Sequence, residues 1–193
     1  MNDRDKYCLE VLGLFADAIT DLHDPRNDGH QRRCVELAKR LAFKLGMPHR
    51  EIELIGAAMI FHDIGKVGIP EAILSKPVLS DSENDQMHGH SANGAKVMSV
   101  LPIEGMEVIV DIARHHQENW DGTGYPDKLK GDEISIGGQI ARVVDFFDAL
   151  TSDRVYRKKI SAKDAIMLME TKNGTWISPK VFHLFKQVIN NGQ

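Results

Sequence analysis

Residues 55–66 read IGAAMIFHDIGK: an apolar run that ends on His62 and Asp63, with Gly65 and Lys66 close behind. The run shows no polar alternation, so it predicts a helix packed on all sides rather than a strand. An imidazole, a carboxylate and an ammonium at the end of such a helix need a reason. A buried carboxylate is costly unless it is paired or holds a metal.

Outward from this stretch the 3.6-residue period dominates, and no alternating strand stands out. The predicted helices run from about Asp5 to His23, from Gly29 to Gly46 (with Cys34, Leu37, Leu41 and Leu45 as its inner stripe), and from His49 to Ile64. Gly65 is read as the left-handed cap that stops the third. Pro70 opens a short segment to Leu74. Ser80 or Ser82 caps a long helix that ends before Pro102, and another spans about Gly105 to His116. Residues 117–138, rich in Gly, Asp and Pro, predict an ordered loop or lid. Helices at about 138–152, 161–172 and 178–190 follow, the last opened by Ser178-Pro179 in cap-then-proline order. The expectation is an all-α, single compact helical domain over residues 1–193, with one long loop.

With 193 residues and a formal net charge of −4, the chain is long enough for a well-buried core and not basic enough for non-specific nucleic-acid or anionic-membrane binding. No apolar run approaches the ~18–20 residues of a membrane span. The first residues lack the pattern of a secretory signal. Cys8 and Cys34 sit in helical apolar patterns and read as reduced thiols. The localisation expected is cytoplasmic.

Nine histidines are present, and their placement matters more than their number. His30 shares the stripe of Cys34 and Leu37; taken alone that is where a core histidine sits. His90 lies in MHGHSANG (87–94), where Gly94 would let another backbone or an ion come close. His115-His116 ends a helix. Asp145 is embedded in IARVVDFFDAL (140–150), where only a partner justifies a carboxylate. Together they offer imidazoles and carboxylates from five helices, with no cysteine. That donor set suits Fe, Mn, Ni or Zn with open positions. It also suits a two-metal hydrolase, with ions ~3.5–4 Å apart that neutralise a phosphodiester. His23, His49, His88 and His183 fall on polar faces or helix ends and read as surface or capping residues.

HDIGKVGIP (62–70), MHGHSANG, HHQENWDGTGYP (115–126) and DFFDALTSDRVYR (145–157) resemble, in this order, the HD-GYP domain of the HD phosphohydrolase superfamily. The resemblance covers about residues 24–185. It implies hydrolysis of cyclic di-GMP to pGpG or on to GMP, on a site of two or three iron, manganese or similar ions. It assigns one ion to His30, His62, Asp63 and Asp145, and a second to Asp63, His90 and His116. It makes Asp63 and Lys66 catalytic, with Lys66 reaching a phosphate oxygen or the leaving oxygen. Arg154 and Arg157 match the positions that clamp phosphates. Arg154 lies about half a revolution from Asp145 on an ideal helix, so that helix must end near Ser152-Asp153 and the turn that follows must bring the arginines back. Tyr125 and Trp120 flank a guanine or anchor the loop. The GYP tripeptide is also proposed as a contact for diguanylate cyclase (GGDEF-type) domains. A homodimer is left open.

Two departures matter. Aligned on Trp120, the family's histidine pair falls at His116 and Gln117. The second ion then loses a ligand, takes the Gln117 amide oxygen, or binds weakly, and His115 replaces it only after local rewinding. Occupancy is therefore expected to be uneven, the second site being more easily stripped. Arg26 stands where members with a third ion carry Glu, so at most two ions are expected. Two rivals stay open. One is an HD hydrolase for another phosphate compound, such as 3′3′-cyclic GMP-AMP. The other is a degenerate module that binds cyclic dinucleotide or docks a cyclase with weak or no turnover. Family members usually carry a regulatory domain ahead of this one; none is read in these 193 residues, so a fragment, or dependence on partners, is the expectation.

Overall fold

The structure, a computed structural model, describes residues 3–23, 29–153 and 158–190. Nine α-helices appear among them: α1 Asp3–His23, α2 His30–Lys44, α3 His49–Phe61, α4 Glu71–Leu74, α5 Asp81–Met98, α6 Met106–His115, α7 Ile136–Thr151, α8 Ala162–Glu170 and α9 Pro179–Asn190. Short 3-10 turns lie at Ile64–Gly68 and Gly131–Glu133. No strand forms among the described residues, beyond an isolated bridge between Asn173 and Ile177. No described helix is long and apolar enough to cross a membrane.

The core joins the apolar stripes of α2, α3, α6, α7 and α9. Cys34, Leu41, Met59, Phe61, Ile109, Ile112, Ile140, Val144, Phe182 and Phe185 are sealed from solvent in it. Phe147 meets Phe185 edge to face at 5.1 Å, a geometry aromatic quadrupoles favour. Both cysteines are free. The local signals do what their chemistry dictates. Ser80, not Ser82, caps α5 in a capping box with Glu83. Ser161 caps α8 by accepting from the Asp164 amide.

Two boundaries differ from the sequence reading. The third helix stops at Phe61, and Gly65 is not a left-handed cap: it sits inside the 3-10 turn. A Cβ on Gly65 would lie 1.9 Å from the His90 carbonyl oxygen and 2.4 Å from the Gly94 nitrogen. Glycine is there because the turn presses backbone to backbone on α5, and Gly94 is the matching gap on the other side. The seventh helix starts at Ile136, two residues early, capped by Ser135. The Gly137-Gly138 pair that reads as loop instead admits the Ile112 side chain, 2.9 Å from where a Gly137 Cβ would stand. As the resemblance required, α7 ends at Thr151, and Ser152 turns to extended backbone.

Candidate metal centre

Every element that frames the centre ends at it or faces it. His30 is the first residue of α2, placed by Gly29 in the left-handed region (φ 74°), which a glycine tolerates without strain. His62 and Asp63 follow directly on α3, His90 is central in α5, His116 follows α6, and Asp145 lies on α7. All four imidazoles are sealed from solvent or nearly so, and Asp63 is buried beside them.

The rings point the same chemistry inward. Nδ1 of His62 stands 2.8 Å from the Met59 carbonyl oxygen, that of His90 2.7 Å from Met87, and that of His116 3.0 Å from Ala113. Nδ1 of His30 stands 2.7 Å from Asp148 Oδ2. A carbonyl or carboxylate oxygen only accepts, so each Nδ1 carries a proton, which in a neutral imidazole leaves the Nε2 lone pair facing the centre. Burial keeps the His62 and His90 rings neutral, pushing His62 down to about 4 and His90 to about 3.

These lone pairs converge. His30 and His62 approach Nε2 to Nε2 at 3.3 Å, and His90 and His116 at 3.1 Å. Asp145 Oδ1 lies 3.7 Å from the His30 nitrogen and 3.9 Å from that of His62. Asp63 divides its oxygens: Oδ2 is 3.6 Å from His62 Nε2, while Oδ1 is 3.4 Å from His90 and 3.6 Å from His116. Two lone pairs cannot hydrogen-bond each other. Donors held ~2.0–2.2 Å from one cation stand about 3.0–3.5 Å apart, which is close to these spacings. Nitrogen and carboxylate donors, with the outer nitrogens already fixed, are what a divalent transition metal takes. His30, His62 and Asp145 can hold one ion, and Asp63, His90 and His116 another, with Asp63 facing both. The residues fit.

The two carboxylates stay ionised. Burial raises both, but Lys66 and His62 hold Asp63 well below the usual carboxylate range, and His62 and His30 hold Asp145 below it. Lys66 Nζ donates to Asp63 Oδ2 at 2.5 Å.

Other expectations need correction. His115 is not at the centre, because its nitrogens bond Asp111 Oδ1 at 2.8 Å and Asp127 Oδ2 at 3.0 Å, tying α6 to the long loop. The Gln117 oxygen is not turned to the second cluster, since it accepts from Arg142 Nη1 at 3.1 Å. Tyr125 has one ring face covered, stacked on His88 with centroids 3.9 Å apart, so His88 is exposed yet not idle. Trp120 anchors the loop through its backbone, paired with Trp176 and Gly131. Arg26, Arg154 and Arg157 lie outside the described residues.

The sequence reading missed Asp148, which is buried and takes His30 on one side and Arg33 Nε at 2.6 Å on the other. Burial pushes its carboxyl up, but the His30 and Arg33 bonds hold it near 2. Its signal was present, three residues after Asp145 in the same apolar run and therefore on a neighbouring face.

The chain matches the family model described as HD domain over residues 15–181. It belongs to the HD domain family. A protein of Thermotoga maritima named cyclic di-GMP phosphodiesterase is 35% identical over 178 residues, covering 92% of this chain and 47% of the relative. A 3′3′-cGAMP-specific phosphodiesterase of Vibrio cholerae is 35% identical over 176 residues, covering 91% and 34%. This HD domain chain thus spans between a third and a half of the length of those relatives. In fold it is similar to the crystal structure of a cyclic GMP-AMP specific phosphodiesterase of V. cholerae, with TM-score 0.70 and 20% identity over 93% of this chain and 48% of that one.

Proposed function

We propose that this domain is a metal-dependent phosphodiesterase that hydrolyses cyclic di-GMP to pGpG, GMP or both. The observation that carries the reading is the convergence of four Nε2 atoms and two ionised carboxylates in a buried space, an arrangement that bound cations would relieve. The names of the relatives support a cyclic dinucleotide as substrate.

His30, His62, Asp63 and Asp145 would hold one divalent ion, and Asp63, His90 and His116 a second. Fe or Mn is favoured, with Zn or Ni as alternatives. Such ions supply charge neutralisation at a phosphodiester and acidify water. The chain's own groups do the rest. Asp63, kept ionised by Lys66, spans both clusters and fixes their separation. Lys66 is partly exposed, with its ammonium at the rim of the centre. From there it would donate a hydrogen bond to a phosphate oxygen or to the departing ribose oxygen, offsetting the negative charge that develops there. Arg154 and Arg157 would hold the substrate phosphates. Tyr125, backed by His88, would line the approach to His90, 6.1 Å away between ring centroids. The loop would also be where a GGDEF-type cyclase docks, and the setting would be the cytoplasm.

A second reading, preference for 3′3′-cyclic GMP-AMP, is favoured by the V. cholerae relative. Hydrolysis of both dinucleotides is to be followed with added Fe(II) or Mn(II). Turnover of cyclic di-GMP that drops about 10³-fold or more in Asp63→Ala is the expected result. Cyclic di-GMP binding with no turnover under either metal would make the domain a binding module. Faster turnover of the hybrid dinucleotide would move the assignment to the second reading.

A further inference from the structure

Gln117 stands where the HD-GYP pattern carries a histidine, and its surroundings define what it does instead. Its side-chain Nε2 donates to Asp145 Oδ2 at 3.1 Å, and its Oε1 accepts from Arg142 Nη1 at 3.1 Å. The orientation is fixed by the partner, because a guanidinium has donors only and the amide must offer it oxygen. Arg142 is held in turn. Its Nε and Nη2 donate to Asn119 Oδ1 at 3.1 and 2.8 Å, and its guanidinium lies 5.4 Å from the Trp176 ring centre and 5.8 Å from that of Phe146. The amide group is left with its N–H₂ directed at Asp145.

Resting on the metal-centre reading above, we propose that Gln117 is a positioning residue for Asp145 and not a ligand of the second ion. It takes Asp145 Oδ2, so that Oδ1 is the oxygen presented to His30 and His62. The chain Asn119–Arg142–Gln117–Asp145 runs from the long loop through α7, and it braces only the first cluster. The second cluster then has three protein donors, Asp63, His90 and His116.

The test isolates each ion. His90→Ala disables the second cluster and leaves the first; His30→Ala does the reverse. Mn(II) is titrated into both by calorimetry, with bound metal counted by elemental analysis. Gln117→Met, which removes both hydrogen bonds at similar length, and Gln117→Ala are then added to each, with thermal unfolding confirming the fold. The expected result is Mn(II) affinity about tenfold weaker in the His90→Ala background, in the range for loss of an outer hydrogen bond to a ligand, and changed by less than about twofold in the His30→Ala background. Loss confined to the His30→Ala background overturns the proposal, because that is the signature of ligation to the second ion. So does an equal effect, or none, in the two backgrounds. Parents that bind no Mn(II) overturn the metal-centre reading itself, before any Gln117 variant is made.

Discussion

The two histidine pairs of the centre close to nearly the same spacing, 3.3 Å for His30–His62 and 3.1 Å for His90–His116, but they are braced by different means. The first rests largely on side chains: Asp148 holds His30, Arg33 and Ser152 hold Asp148, and Gln117 holds Asp145, while His62 alone is aimed by a main-chain carbonyl, that of Met59. The second is aimed by main-chain carbonyls three residues back in the same helix, from Met87 and Ala113. A carboxylate behind an imidazole strengthens it as a ligand; a neutral carbonyl does so less. The difference teaches that His30 and Asp145 in the first half are tuned by side chains from elsewhere in the fold, while the second half is set by where α5 and α6 lie.

The largest effect should come from the joint between the halves. In Gly65→Ala the new methyl would meet the His90 carbonyl oxygen at 1.9 Å, and neither backbone can yield without moving the other. Overpacking of this kind costs about 3 kcal/mol or more. Urea unfolding should show that loss, and elemental analysis should show that His90 and Asp63 no longer share an ion. A variant of unchanged stability would mean that the two elements are not locked together.

Next in size is Asp148→Ala. It frees the His30 Nδ1 proton and leaves Arg33 beside an apolar methyl. The first cluster should lose 10- to 100-fold in metal affinity, with the second unaffected. Equal loss at both would erase the distinction between the two kinds of brace. Chelation sharpens the same comparison with a smaller contrast. Dialysis against a chelator should leave about one ion per chain, the one on the better-supported first cluster. Two ions retained would defeat the expectation of uneven occupancy.

How much of this is visible without coordinates depends on the range of the force involved. Helix starts were legible where the signal is local, as at Ser178-Pro179 and, to within the choice between Ser80 and Ser82, at α5. His30, His62, Asp63 and Asp145 were legible as polar groups in apolar stretches, whereas His90 and His116 entered the ligand set through the resemblance. The end of α3 was not, since the role of Gly65 is set by a backbone from another helix. Asp148 passed as one more acid near Asp145 because its partners, His30 and Arg33, are 118 and 115 positions away in sequence. The Gln117 substitution was legible as a departure from the family, but its partner Arg142 follows 25 residues later, across the loop.

Acid is the mildest probe, and it treats the two halves alike. Burial lowers His62 to about 4 and His90 to about 3, against an ordinary value of 6.5, so one ring from each cluster resists protonation. From pH 6.5 down towards those values the unfolded chain binds protons that the folded, metal-free chain refuses. Its stability is therefore full above about pH 6.5 and declines as pH falls, by at most ~1.4 kcal/mol per pH unit for each ring. Asp63 and Asp145, held below the usual range, add a loss of the same sign, but only below about pH 4. Urea midpoints of the metal-free protein from pH 7 to 5 should fall, and His62→Ala or His90→Ala should each flatten the decline by a similar share. A decline that only one of them flattens would place the burial penalty in one cluster and make the halves unequal in solvation as well as in bracing.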